Sequence, residues 1–318
     1  MSDSTETRRP SYEQINYRVR PAKSIERKML CESFRRLTHF SPVEDYRYIG
    51  FGSTFFADFL LFHKQLGIEN MISIEKDYEN EDRFLYNKPY KCIEIKFGDS
   101  NDQLPQLDWG STKDIVWLDY DGRLDLSVLD DINTVFFNIS SGSIVLTTVN
   151  IYYKRGQEVN VLNKYLEHKA PEGITNDDLE SWKAAKVCRK IIHDKINETL
   201  EDRNRTEPDG KKFKFKPLYY FGYSDGTKML TFGGIVFRED EESTFDECKF
   251  NQLPYIKLDD DMYFIDVPSL TYKEIRHLDS QLPHEDLTSV TSPGVKPEDI
   301  KRYSVLYKYF PAFSETEI

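Results

Sequence analysis

Between Tyr46 and Val149 the chain alternates short, almost wholly apolar runs with stretches of helical spacing. The runs are "YRYIGF", "MISIEK", "CIEIKF", "DIVWLDY" and "SIVLTTV", and a helix through Phe55, Phe59, Leu60 and Leu66 separates the first two. Strands that are apolar on both faces must be covered on both faces, and strands joined through helices pair in parallel. The pattern therefore predicts a doubly wound α/β sheet, a fold in which ligands sit beyond the carboxyl ends of the strands. After residue 150 the rhythm changes. A charged helical stretch, "DDLESWKAAKVCRKIIHDKINETL", places Leu179, Trp182, Val187, Ile191, Ile192 and Ile196 on or near one face and reads as an insertion or lid. "LYYFGYSDGTKMLTFGGIVF" follows, with turn chemistry at Ser224, Asp225 and Gly226 that predicts a hairpin closing the sheet. The tail holds one more short strand, "MYFIDVP", and two helices, "SLTYKEIRHLDSQLP" and "KPEDIKRYSVLYKYF", around a Pro/Gly/Ser-rich link at 289–297. Near the start, Ser24 is placed to cap a helix through Ile25, Met29, Leu30, Phe34 and Leu37.

Charge narrows the functional classes. With 43 Lys and Arg against 55 Asp and Glu, the net charge of −12 argues against a surface that coats nucleic acid. Residues 1–40 run the other way, with nine Lys/Arg against five acids, a local +4. "KKFKFK" at 211–216 fits either a phosphate-rich partner or an edge strand guarded by lysines. No window approaches the roughly 18 apolar residues of a membrane span, and residues 1–15 hold no apolar stretch, so a cytoplasmic protein without membrane contact is expected. The four cysteines and six histidines show no metal-ligand spacing.

The turn after the first predicted strand, "IGFGS", has two glycines one residue apart. A glycine-x-glycine between strand and helix lets the backbone approach a nucleotide beside the helix N-terminus. A dinucleotide fingerprint wants a third glycine where this chain has Phe55, and no Gly-Lys-Ser/Thr follows to make a phosphate-binding P-loop. Three further signals fall on the same sheet edge. Glu75, 23 residues after Gly52, ends the second strand, where an acid accepts both hydroxyls of a ribose. Asp99 follows the third strand, within reach of an adenine amino group, and "WLDYDG" ends the fourth. Taken singly, Gly50 and Gly52 also fit a tight turn, Glu75 a solvated strand end, and Asp119 and Asp121 ordinary turn chemistry.

From about Tyr46 to Phe237 the chain resembles the class I S-adenosylmethionine-dependent methyltransferases, through "IGFGS", "IEKD", "GDS", "LDYDG" and the closing hairpin. The opening "YRVRPAKSIERKML" and the tail "YSVLYKYFPAF" are similar to a group of bacterial O-methyltransferases of unestablished substrate. The resemblance implies a Rossmann-like, seven-stranded, mostly parallel sheet with an antiparallel last strand. It divides the chain into an N-terminal basic segment and helix (1–45), a cofactor-binding half (46–150), a helical insertion or lid (151–216), the closing hairpin (217–240) and a C-terminal extension (241–318). It also implies S-adenosylmethionine bound by Gly50, Phe51, Gly52, Ser53, Glu75, Lys76, Asp99, Ser100 and Asp119. DNA amino-methylating members carry Asn/Asp-Pro-Pro-Tyr after the fourth strand, whereas this chain has Asp119-Tyr120-Asp121-Gly122, which disfavours adenine or cytosine amino methylation.

The expected chemistry is in-line methyl transfer to an acceptor oxygen or nitrogen, with Asp119 or Asp121 as base and Tyr120 lining the acceptor pocket. The same two carboxylates are also candidates for a divalent cation. Arg18, Arg20 and Lys23, in "YRVRPAK", are the candidates for gripping an anionic part of the acceptor. Two other readings stay open: a non-catalytic regulatory protein that binds the cofactor, and an RNA- or DNA-modifying methyltransferase using the basic start.

Overall fold

The computed structural model describes residues 20–257 and 260–312, so Arg18 lies outside the described residues. In chain order the elements are α1 Pro21–Phe34, β1 Arg47–Gly50, α2 Ala57–Leu66, β2 Asn70–Glu75, α3 Glu81–Asn87, β3 Ile93–Phe97, α4 Ser100–Gln103, β4 Asp114–Asp119 and α5 Leu126–Asn138. They continue with β5 Ser143–Asn150, α6 Glu158–Leu166, α7 Lys183–Asn204, β6 Phe213–Ser224, β7 Lys228–Arg238, α8 Glu242–Glu247, β8 Tyr263–Ile265, α9 Tyr272–Asp279 and α10 Pro297–Leu306.

All eight strands form one sheet in the order β3, β2, β1, β4, β5, β7, β6, β8, in which only β7 runs against the rest. The sheet therefore has one strand more than the seven expected, because the tail segment "MYFIDVP" pairs in parallel with β6 through Phe221–Tyr223. The continuous apolar character of the strands follows from burial on both faces. Along β4, Ile115 and Trp117 enter one core while Val116 and Leu118 enter the other, and β5 divides Ile144 and Leu146 from Val145 and Val149 in the same way. The first core is covered by α1 and α2, with Met29, Leu30, Phe34, Phe59 and Phe62, and the second by α5 and α7, with Ile132, Val135, Ile191 and Ile192.

Two sequence expectations change. The first helix starts at Pro21, three residues before Ser24, because Pro21 fixes the first helical φ and Asp225, from the β6–β7 turn, supplies the missing cap. Its carboxylate accepts the backbone amides of Ala22 at 3.2 Å and Lys23 at 2.9 Å. The stretch read as a lid contains α7, a 22-residue helix that packs against α5 and β6 and buries Ala184, Cys188, Ile191, Ile192 and Ile196. It is the crossover that returns the chain to the sheet for β6, since its apolar face is consumed by the second core. "KKFKFK" opens β6 as edge strand, paired along this stretch only to β7, with Lys214 and Lys216 exposed. Acids answer its lysines: Lys211 meets Asp240, Lys212 meets Asp209 at 2.8 Å and Lys214 meets Glu242 at 3.1 Å. Among the described residues, no helix is long and apolar enough to cross a membrane.

Candidate functional site

A cavity of about 590 Å³ opens beyond the carboxyl ends of β1, β2 and β4. Gly52, Ser53, Glu75, Lys76, Asp99, Ser100, Asp119, Tyr120 and Asp121 all line it, as does Phe51. Gly50 ends β1 just behind this wall.

The glycine turn is built for closeness rather than for an unusual backbone. Gly52 has φ −71°, open to any residue, but a Cβ there would lie 2.5 Å from the Phe56 ring and 2.7 Å from Ser73 Oγ. A Cβ on Gly50 would meet the Tyr48 hydroxyl at 2.6 Å. The strain in the turn sits on Ser53 and Phe56, whose φ values of 48° and 45° are left-handed; for a buried phenylalanine this is an uncommon conformation, of the sort held by surrounding packing at functional sites. The closeness has a use. Gly52 N–H donates to Ser73 Oγ at 2.9 Å, and Ser73 Oγ–H donates to Glu75 Oε1 at 2.6 Å, so the turn and the acid are tied into one rigid unit. Ser73 and Glu75 share a face of β2 because strand residues two apart point the same way. Glu75 is only 7% exposed. Burial pushes its carboxyl up to about 7 and the charge of Asp58 adds to this, against the pull of Ser73 and the amides of Gly52 and Ser53.

Opposite, at the end of β4, Asp119 Oδ1 accepts the Lys23 ammonium at 2.7 Å. Lys23 is fully buried, which a charged side chain tolerates only with partners on every side. It also lies 2.9 Å from Glu26, donates to the Tyr223 hydroxyl at 3.0 Å and stands 4.2 Å over the Trp117 ring. Behind Glu26 the bonds continue inward: Thr231 donates to Glu26, its oxygen meets Thr148 Oγ1 at 2.7 Å, and Trp117 Nε1 donates to Thr148 at 2.9 Å. Arg20 and Arg27 are 7% and 8% exposed, so with Lys23 three cations of the basic start are buried, while Arg35 stays exposed. Lys76 and Asp99 pair across the outer rim at 2.6 Å, with side chains 80% and 53% exposed.

Sequence reasoning missed the residues that hold these loops in place. Tyr120 donates to Asp131 at 2.5 Å, Asn101 donates to it at 2.7 Å, and Ser100 donates to it as well. Asp131, fully buried on α5, thus joins the loops after β3 and β4, and its helical spacing from the apolar Val128 and Val135, three before and four after, gave a weak signal of this. Asp58 was missed too; it lies in the first turn of α2, accepts the Tyr48 hydroxyl and lines the cavity. Asp119 and Asp121 gain no third ligand: among the described residues no three His, Cys, Asp or Glu side chains gather as they would around a metal ion.

In electrostatic terms the cavity wall carries seven carboxylates, of Asp58, Glu75, Asp77, Asp99, Asp119, Asp121 and Asp125, against the three cations of Arg27, Lys76 and Arg123. Such a wall favours a ligand that carries positive charge.

No curated protein matches the chain in sequence. Among solved structures, the chain is similar to Trm1 from Pyrococcus horikoshii in complex with S-adenosyl-L-methionine, with a TM-score of 0.46 and 9% identity over 70% of this chain and 57% of that one. It is also similar to the O-methyltransferase TomG from Streptomyces achromogenes, involved in tomaymycin synthesis and in complex with SAM, with a TM-score of 0.36 and 12% identity over 64% and 79% of the two chains. An O-methyltransferase family protein from Burkholderia thailandensis gives 0.31 and 9% over 60% and 51%. The chain thus spans little more than half the length of the first of these. The model of the family described as "Putative O-methyltransferase" matches residues 15–318, and the chain belongs to that family of methyltransferases.

Proposed function

We propose that the chain transfers a methyl group from S-adenosylmethionine to an oxygen or nitrogen of an acceptor. The observation that carries this reading is the Gly52–Ser73–Glu75 unit: a buried carboxylate facing the cavity, held by the strand-to-helix turn, is the acceptor a ribose diol requires. Family membership and the acid-rich wall support it, because the cofactor is a sulfonium cation. The cavity volume lies in the range of small-molecule sites, about 300 to 1,000 Å³. In this reading the backbone of Gly50, Phe51, Gly52 and Ser53 borders the nucleoside, Glu75 takes the ribose hydroxyls, and Lys76, Asp99 and Ser100 stand at the adenine end.

The sulfonium supplies an electrophilic methyl group, so the protein's task is alignment, exclusion of water and, for a hydroxyl or protonated amine, removal of one proton. Asp119 is assigned to the cofactor side, since one of its oxygens is held by Lys23. Asp121, exposed two residues on at the cavity wall, is assigned as the base, and Tyr120 as the aromatic wall beside Phe51, whose ring lies 5.1 Å away. Lys23 is assigned to the support of Asp119. The role of gripping an anionic acceptor is then left to Arg18, since Arg20 is buried and absent from the cavity lining.

Calorimetric titration of S-adenosylmethionine into the wild type and Glu75→Ala tests the reading. A loss of about 10- to 100-fold in affinity is expected for removal of a charge-assisted pair of hydrogen bonds. Equal affinity in both proteins would remove the pocket assignment.

A further inference from the structure

Arg18 lies outside the described residues, but the cavity wall itself holds a cation that the sequence reading did not single out. Arg123 lines the cavity on the loop that leaves β4, two residues after Asp121, the assigned base. Its side chain is half-buried and held by the segment that follows β5. Nε donates to Tyr152 O at 2.8 Å, and the guanidinium carbon lies 5.8 Å from the ring centres of Tyr153 and of Tyr165 on α6. That segment is in turn tied to the Arg123 loop: Asn150 N–H donates to Gly122 O at 2.8 Å, and Tyr152 N–H donates to Asn150 Oδ1 at 2.8 Å. The guanidinium is therefore positioned before any ligand arrives, which lowers the ordering cost of binding.

Holding Arg123 uses one of its three nitrogens. Among the described residues the two terminal nitrogens have no hydrogen-bond partner, and no carboxylate forms an ion pair with the side chain. Its neighbours in the wall are otherwise engaged: Lys76 pairs with Asp99 at 2.6 Å, and Asp125 accepts the Val128 amide at 3.0 Å as the cap of α5. In a wall that carries seven carboxylates, a guanidinium that pairs with none keeps its fork open. Two parallel N–H donors match the oxygens of a carboxylate or a phosphate, a geometry that an ammonium cannot reproduce.

We propose that Arg123 binds an anionic group of the methyl acceptor, a carboxylate or a phosphate, while the oxygen or nitrogen to be methylated faces Asp121. The inference rests on the methyl-transfer reading and deepens it on the acceptor side, where it names the acceptor as an anion. The acid-rich wall then contributes to selection. It repels anions in general, and it admits one whose charge reaches the guanidinium. Tyr120 and Phe51, whose rings lie 5.1 Å apart, give the body of such an acceptor an aromatic surface.

The test saturates the protein with S-adenosylhomocysteine and titrates three probes by NMR: benzoate, phenyl phosphate and benzamide, the neutral counterpart of benzoate. At least one of the anions is expected to bind about 10-fold or more tightly than benzamide, and the tighter of the two tells carboxylate from phosphate. Arg123→Gln is expected to weaken that anion by roughly 10- to 100-fold and S-adenosylhomocysteine by less than about 3-fold, with Arg123→Lys in between for the anion. Retained S-adenosylhomocysteine binding also reports that the variants are folded. Anions that bind no better than benzamide, or as well to Arg123→Gln as to the wild type, overturn the anion site and leave the donor reading intact. Loss of S-adenosylhomocysteine binding in Arg123→Gln overturns it too, because the residue then serves the donor or the fold. A wild type that does not bind S-adenosylhomocysteine overturns the donor reading, and the anion site with it.

Discussion

The Lys23 ammonium lies 2.7 Å from Asp119 Oδ1 with its own side chain fully buried, although 96 residues separate the two. It ties the first helix of the chain to the end of the fourth strand, at the floor of the cavity. Between Asp119 and Glu26 it also keeps two carboxylates from facing each other unscreened.

Lys23→Met removes the cation and leaves both acids. Breaking a buried ion pair on one side costs about 3–5 kcal/mol, and urea unfolding is expected to show a loss of that order. Adding Glu26→Gln restores part of it, because one of the stranded charges is then gone. A single variant as stable as the wild type would show that the pair carries no net stability.

Glu75 makes cofactor affinity depend on pH. Its carboxyl must be ionised to accept two ribose hydroxyls, and burial holds it at about 7, so below that value each unit of pH lowers affinity by up to about tenfold, with a plateau above. Glu75→Gln is expected to bind weakly and with no such slope, measured by calorimetry from pH 5.5 to 8.5.

The same shift predicts a stability effect of the opposite sense. A carboxyl raised from 4.5 to about 7 binds its proton more tightly folded than unfolded, so its contribution falls as pH rises through that window, by about 3 kcal/mol in all. In thermal unfolding without ligand, Glu75→Gln is expected to be more stable than the wild type at pH 8 and to lose that advantage near pH 4. The functional carboxylate is then held at the expense of stability.

Gly52→Ala drives a methyl group into the Phe56 ring and Ser73 Oγ. The expected cost is about 1–3 kcal/mol of overpacking, together with weaker cofactor binding because Ser73 no longer fixes Glu75. Gly122→Ala is the control: no atom lies within 4 Å of the added Cβ, and its melting temperature is expected to match the wild type.

Asp225→Ala removes the acceptor for the amides of Ala22 and Lys23. A lost helix cap costs about 1 kcal/mol, and because α1 carries Lys23 and Arg27 the variant is expected to lose affinity for S-adenosylhomocysteine as well. Unchanged binding would show that α1 is held by its apolar face alone.

The sequence by itself determined the sheet and the placement of the cavity. Apolar runs of strand length and the helical spacing between them are local patterns, and Gly52, Glu75, Asp99 and Asp119 each lie at the carboxyl end of such a run, so one sheet edge collects them whatever the rest of the chain does. Tertiary structure alone decided what holds those residues. Asp225 caps α1 from some 200 residues away, Ser73 turns Glu75 toward the glycine loop, Asp131 gathers Ser100, Asn101 and Tyr120, and the basic opening segment buries Lys23 and Arg27 instead of presenting them to solvent. The physical reason is that hydrophobic periodicity repeats over a few residues and can be read along the chain. A buried polar group takes whichever partner the packed fold brings within about 3 Å, and that partner leaves no mark at a fixed spacing in the sequence.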